Sequence, residues 1–147
     1  MLKKNRTAVI LCGGKGTRLG IIGKKLPKTL VKLQGKEILW YIIKILKKND
    51  FNHIILPTGY KEKPIRKFLK SYNNFGIKID CIYTGLNSNI GKRISKIEKK
   101  ILNKEILLLN GDAVFNLDLN RIFNNHQKKK FDVTFLSSEI TYPYGTI

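Results

Sequence analysis

Residues 11–20, LCGGKGTRLG, place four glycines, one lysine and one arginine directly after a short apolar run. Glycine lets backbone N–H groups approach a phosphate closely, and the Arg18 guanidinium offers a forked cation that suits phosphate oxygens. The spacing excludes two common nucleotide loops. G-x-x-x-x-G-K-[ST] is absent, and Gly14, Gly16 and Gly20 form GxGxxxG where the dinucleotide fingerprint needs GxGxxG. Ten residues beyond Arg18, in LPKTLVKLQGKEIL, Lys28 follows Pro27, whose fixed φ stiffens the approach. A lysine held beside an arginine can brace a transferring phosphoryl group. A third group, Asp112 in NGDA, ends an apolar run; one hard carboxylate with phosphate oxygens and water is a typical Mg²⁺ environment. Each feature also has a plain reading: a glycine turn, a solvated lysine among many, and an aspartate capping a turn.

The elements that must position these residues follow from hydrophobic periodicity. TAVILC (7–12) reads as a buried parallel strand. KEILWYIIKILKKN (36–49) puts Ile38, Leu39, Ile42, Ile45 and Leu46 on one helical face. HIILPTG (53–59) reads as a second buried strand closed by a Pro/Gly turn, and KEKPIRKFLKSY (61–72) as a helix with Pro64 in its first turn. GIKIDCIYTG (76–85) alternates as a strand, and NIGKRISKIEKKI (89–101) spaces Ile90, Ile94, Ile97 and Ile101 as a helix. EILLLNGD (105–112) reads as the fourth strand, residues 117–130 as a helix opened by Asp118, and FDVTFLSSEI (131–140) as a fifth strand. Strands alternating with helices predict an α/β fold, a mostly parallel sheet covered on both faces. In such sheets ligands bind beyond the strand carboxyl ends. The glycine loop, the loop in YTGLNSNIGKR and the NGDA turn all fall there, which predicts one shared pocket.

The bulk composition bounds the rest. With 147 residues, 42% of them hydrophobic, the chain reads as a single domain over 1–147 with a real core. Cys12 and Cys81 stand far apart in apolar runs without CxxC or clustered histidine, so they read as buried reduced thiols, not a metal site. No apolar run reaches the length of a membrane span, and the opening residues are too briefly apolar for a leader; the expectation is a cytoplasmic protein without membrane association. The formal net charge of +19 invites a polyanion partner, yet lysine greatly outnumbers arginine and is scattered over nearly every helix. A nucleic-acid surface is therefore disfavoured, while the field still attracts a small anionic substrate. His53 and His126 have no nucleophile motif around them and read as structural.

GGKGTRL followed by PKTLVKLQGKEIL resembles the signature of the sugar-1-phosphate nucleotidyltransferases, GGxGTRL and then PKPxxxxxGKPIL. GKEILWYIIKIL, with Trp40, and TGLNSNIGKRISKI, with Thr84, Gly85, Gly91 and Arg93, are most similar to the cytidylyltransferase branch; LNGDAVFNLDLN resembles the family's GDxxxxxDL segment. The resemblance implies a Rossmann-like three-layer fold and transfer of a nucleoside monophosphate from an NTP to a sugar 1-phosphate, with CTP favoured and UTP or dTTP as alternatives. It implies that Leu11, Gly13, Gly14, Gly16 and Thr17 bind the nucleotide, with Thr84, Gly85 and Arg93 near the base, ribose or phosphates. It makes Arg18 and Lys28 the catalytic cations, Asp112 the metal ligand, Mg²⁺ the cofactor and a homo-oligomer an option. The sequence departs from the pattern in three places. Lys92 makes GKR of GGR, Thr29 makes PKT of PKP, and after YPYGTI the family continues into sugar-binding strands and a second metal-binding aspartate. The resemblance therefore covers the family's nucleotide-binding half, with its C-terminal part missing, and it implies weak turnover. The competing class is a catalytically silent nucleotide-binding module.

Overall fold

The computed structural model describes residues 5–14, 26–103 and 105–137. The chain divides into two compact units, Met1–Asn116 and Leu117–Ile147. The first unit is built on a four-stranded parallel sheet in the order β5-β4-β1-β6, from β1 (Thr7–Leu11), β4 (His53–Thr58), β5 (Lys78–Tyr83) and β6 (Ile106–Asn110). The central strand β1 pairs Val9 with Ile55 on one side and with Leu108 on the other. The two central strands are the apolar runs. Ala8, Val9, Ile10, Ile54, Ile55 and Leu56 are all fully buried. Because successive side chains point to opposite faces, this burial means both faces of the sheet are covered.

One face is closed by α3 (Ile90–Ile97): Ile97 packs on Val9 and Ile55, with Ile82 and Ile106 at the margin. Helix α1 (Ile38–Lys48) buries Leu39, Ile42, Ile43 and Leu46, so Ile43 joins the buried stripe and Ile45 sits half-buried beside it. Helix α2 (Glu62–Ser71) buries Ile65, Phe68 and Leu69 and carries Pro64 in its first turn, where a missing N–H costs nothing. A two-residue turn closes a small hairpin of β2 (Lys32–Leu33) and β3 (Lys36–Glu37), which the periodicity did not predict. Gln34 and Gly35 both take positive φ there, as such a tight hairpin requires.

Three sequence expectations need correction. Pro57 lies within β4, in register with Ile82, rather than in a turn after it; it falls near the strand's carboxyl end, where the ladder has little left to lose. In α3 the periodic Ile90 is 55% exposed, whereas Arg93 is buried, because a buried polar site takes up that side of the helix. The fifth strand does not form in its described part. Residues 131–137 carry no ladder, and Phe135 is 87% exposed; an extended run without a hydrogen-bonded neighbour is not a strand. Residues 138–140 lie outside the described residues. In the second unit, α4 (Leu119–Lys129) is capped as expected, the Asp118 carboxylate accepting from the Arg121 N–H at 3.0 Å.

Candidate functional site

The strand carboxyl ends of the first unit surround a cavity of about 300 Å³. Four short pieces line it. The end of β1 contributes Leu11, Cys12, Gly13 and Gly14. The turn after β6 contributes Asn110, Gly111 and Asp112. A 3-10 turn, Lys28–Leu30, contributes Lys28 and Thr29, and the start of α3 with its preceding loop contributes Ser88, Asn89, Ile90 and Arg93. The parallel sheet brings these pieces together: β1 and β6 run side by side to Leu11 and Asn110, which share a register position.

Lys28 and Asp112 face each other across this space as an ion pair, their side chains 46% and 32% exposed. At that exposure the pair contributes between zero and about 1 kcal/mol, so an arriving anion or cation separates it at little cost. The approach of the two pieces depends on Gly111. A Cβ there would stand 2.5 Å from the Thr29 methyl and 2.7 Å from the Leu11 carbonyl oxygen, so any side chain would push the aspartate turn off the lysine turn.

Arg93 is 5% exposed, and three hydrogen bonds tie its guanidinium to the protein itself. Nη1 donates to the Thr58 carbonyl at 2.9 Å and to the Thr84 hydroxyl at 2.6 Å; Nη2 donates to the Gly13 carbonyl at 3.0 Å. It thus joins the last residue of β4 to residues that follow β1 and β5. Glycine is required around it: a Cβ at Gly13 would overlap the guanidinium, and one at Gly59 would come within 2.8 Å of Nη1. Burial pulls the Arg93 pKa down, with nearby Tyr83 acting the other way, but an arginine stays charged throughout the physiological range. Among the described residues no carboxylate pairs with it. A buried cation held only by carbonyl and hydroxyl dipoles leaves the cavity wall electropositive.

Of the residues expected at the site, Leu11, Gly13, Gly14, Lys28, Arg93 and Asp112 share this cavity. Thr84 and Gly85 do not line it. Thr84 is fully buried, its hydroxyl donating to the Thr58 carbonyl at 2.6 Å while accepting from Arg93, and Gly85 turns the chain with φ +107°. Gly16, Thr17 and Arg18 lie outside the described residues. Sequence reasoning missed Thr29, Ser88, Asn89 and Asn110. Asn89 carried a readable signal, since it caps α3 by accepting from the Lys92 N–H at 2.9 Å. Cys12 also lines the cavity; burial, then Cys81 and Asp112, push its thiol far above the usual range, and both cysteines are free. His53 sits at the opposite, amino end of the sheet, between Thr7 (3.2 Å) and Asp80 (2.9 Å), away from the cavity.

Residues 7–145 match the family model described as nucleotidyl transferase. The chain belongs to the nucleotidyl transferase family. It is 31% identical to a probable glucose-1-phosphate cytidylyltransferase of Bacillus subtilis, over 95% of this chain and 63% of that protein. It is 36% identical to a D-glycero-alpha-D-manno-heptose 1-phosphate guanylyltransferase of Campylobacter jejuni, over 82% and 54%. Among solved structures, HddC from Yersinia pseudotuberculosis, crystallised with GMP-PN, superposes with a TM-score of 0.72 at 29% identity, covering 82% of this chain and 54% of that one. The chain thus spans between about half and two thirds of these nucleotidyl transferases, and the parallel sheet with flanking helices is theirs.

Proposed function

We propose that this chain carries the nucleotide-binding part of a sugar-1-phosphate nucleotidyltransferase and that the cavity holds the phosphates of a nucleoside triphosphate. The observation that carries this reading is the set of three groups at the strand carboxyl ends: a half-exposed lysine, a half-exposed aspartate and a buried arginine without a carboxylate. In the reaction an oxygen of the sugar 1-phosphate bonds to the α-phosphorus, the bond from that phosphorus to the bridging oxygen breaks, and pyrophosphate leaves with the electron pair. The attacking oxygen is already ionised at neutral pH, so the chain needs no general base; positioning and charge neutralisation suffice. Lys28 supplies a mobile cation to the phosphates, and Arg93 holds the glycine turn in the shape that receives them. Arg18 is proposed as the second cation on the same phosphates.

The donor set fits Mg²⁺ in one specific way. Among the described residues no group of three His, Cys, Asp or Glu side chains gathers to hold a metal. Asp112 alone, with phosphate oxygens and water, matches the way Mg²⁺ is usually bound beside a nucleotide. When bound, the ion neutralises developing charge on the phosphates. The ion is accordingly expected to bind together with the triphosphate.

The cytidylyl resemblance around Trp40 and Arg93 favours CTP, and the heptose guanylyltransferase relative favours GTP. Thermal shift with CTP, GTP, UTP and dTTP, each with and without Mg²⁺, tests the reading. One triphosphate is expected to raise the melting temperature only when Mg²⁺ is present. No shift with any of them would contradict it. Pyrophosphate release from the same mixtures with glucose 1-phosphate is expected to be weak, and binding without release would favour the silent module.

A further inference from the structure

Lys28 and Asp112 meet as an ion pair in the cavity wall, each carried by a turn that packing holds in place. Lys28 opens the 3-10 turn behind Pro27, whose carbonyl accepts from the Leu30 N–H at 2.9 Å. Asp112 follows Gly111, whose N–H donates to the Leu11 carbonyl at 3.2 Å. The Thr29 methyl and the Leu11 carbonyl oxygen fill the space where a side chain at Gly111 would go, so the two turns lie against each other. A lysine ammonium is thereby kept at a carboxylate. Among the described residues that line the cavity, Asp112 is the only carboxylate, and no group of three His, Cys, Asp or Glu side chains gathers to hold a metal. A cation entering this cavity therefore meets its acid already engaged.

We infer that the Lys28 ammonium is an internal competitor of Mg²⁺ for Asp112, and that the triphosphate, by drawing the lysine onto its own oxygens, releases the carboxylate for the metal. This rests on the reading of Asp112 as the metal ligand. A divalent ion arriving alone breaks the pair and then stands near a displaced like charge, and both are unfavourable. One carboxylate with water is a poor site for Mg²⁺, which sheds its water reluctantly. Phosphate oxygens reverse both effects. They accept from the lysine in a charge-assisted bond, and they supply the metal with further hard ligands. Metal and triphosphate are thus coupled through Lys28, and each favours the other by the same factor. Lysine suits this exchange, because its ammonium is a point charge on a flexible stem; an arginine would grip the carboxylate with two parallel bonds. The pair is half-exposed, so the competition amounts to a few-fold, enough to favour one order of binding and too little to lock the site.

Mn²⁺ is the probe, a cation that carboxylates suit and whose free hydrated form is counted by electron paramagnetic resonance. It is titrated without nucleotide into the intact chain, into Lys28→Gln, into Lys67→Gln, and into Lys28→Gln combined with Asp112→Asn. Lys67 is exposed on α2 and does not line the cavity, so its variant carries the same loss of overall charge. Lys28→Gln is expected to bind Mn²⁺ about 5-fold tighter than the wild type or Lys67→Gln, and Asp112→Asn is expected to abolish that gain. A gain that survives Asp112→Asn overturns the inference, and so does Lys28→Gln binding Mn²⁺ no tighter than Lys67→Gln. The metal reading is judged separately, by the thermal shift that CTP or GTP gives with Mg²⁺. If Asp112→Asn removes the Mg²⁺ dependence of that shift, the reading of Asp112 stands even where the competition fails. If the dependence is unchanged, both fall.

Discussion

In the proposed reading, Lys28 and Asp112 matter more to a ligand than to the fold. Their pair is half-exposed, so Lys28→Ala is expected to lower stability by less than about 1 kcal/mol in a denaturation curve. The same change is expected to weaken Mg²⁺-triphosphate binding by roughly 10-fold, as loss of a charge-assisted contact would; a large stability loss with unchanged binding would reverse the assignment. Arg93 has the opposite balance. Its replacement by methionine removes three buried charge-assisted hydrogen bonds, to the Thr58 and Gly13 carbonyls and the Thr84 hydroxyl, which is expected to cost about 3 kcal/mol or more in urea unfolding. Cys12 illustrates how burial silences chemistry. With its thiol pKa pushed far up by desolvation, it stays protonated through neutral and mildly alkaline pH. Alkylation by iodoacetamide at mildly alkaline pH, followed by peptide mass, is expected to label half-buried Cys81 first, and fast labelling of Cys12 would mean the cavity opens further than its geometry indicates.

At the scale of elements, the sheet was legible because β1 and β4 are continuous apolar runs and because helices of 3.6 periodicity separate the strands. That pattern also placed the site, since a parallel sheet collects its loops at one end. What escaped was whatever depends on a partner distant in sequence. Residues 131–137 have strand-like composition but no ladder. The resemblance put Arg93 near the base, ribose or phosphates, but its hydrogen bonds to groups from three other segments are a fact no local spacing reveals. Thr29 passed as a mild departure from PKP because an orphaned hydroxyl is visible only once burial is known. The glycine after β1 is where sequence and packing meet. Gly13→Ala is expected to displace the guanidinium and to cost on the order of 2 kcal/mol or more by thermal melting. Gly14→Ala, whose added methyl would meet no atom within 4 Å, is expected to fold normally.

Over the whole molecule, a net charge of +19 sets up a long-range field. Lysines spread over the helices attract any polyanion, but screening removes most of that attraction beyond about 10 Å at 0.1 M salt. Of the cavity cations Arg93 is shielded by protein and Lys28 is half-exposed, so triphosphate binding is expected to fall less steeply between about 0.05 and 0.5 M salt than any DNA affinity, which is expected to fall by orders of magnitude. No described helix is long and apolar enough to cross a membrane. The chain spans 63% of its cytidylyltransferase relative and 54% of its guanylyltransferase relative, so the nucleotide site is the claim on which the functional reading stands. The most direct test is a ¹⁵N–¹H correlation spectrum recorded while Mg²⁺-CTP, and then Mg²⁺-GTP, is added to the intact chain. The expected result is a set of amide shifts concentrated at Cys12, Gly13, Gly14, Lys28, Thr29, Gly111 and Asp112. Shifts scattered over the lysine-rich helices, or none at these glycines, would contradict it.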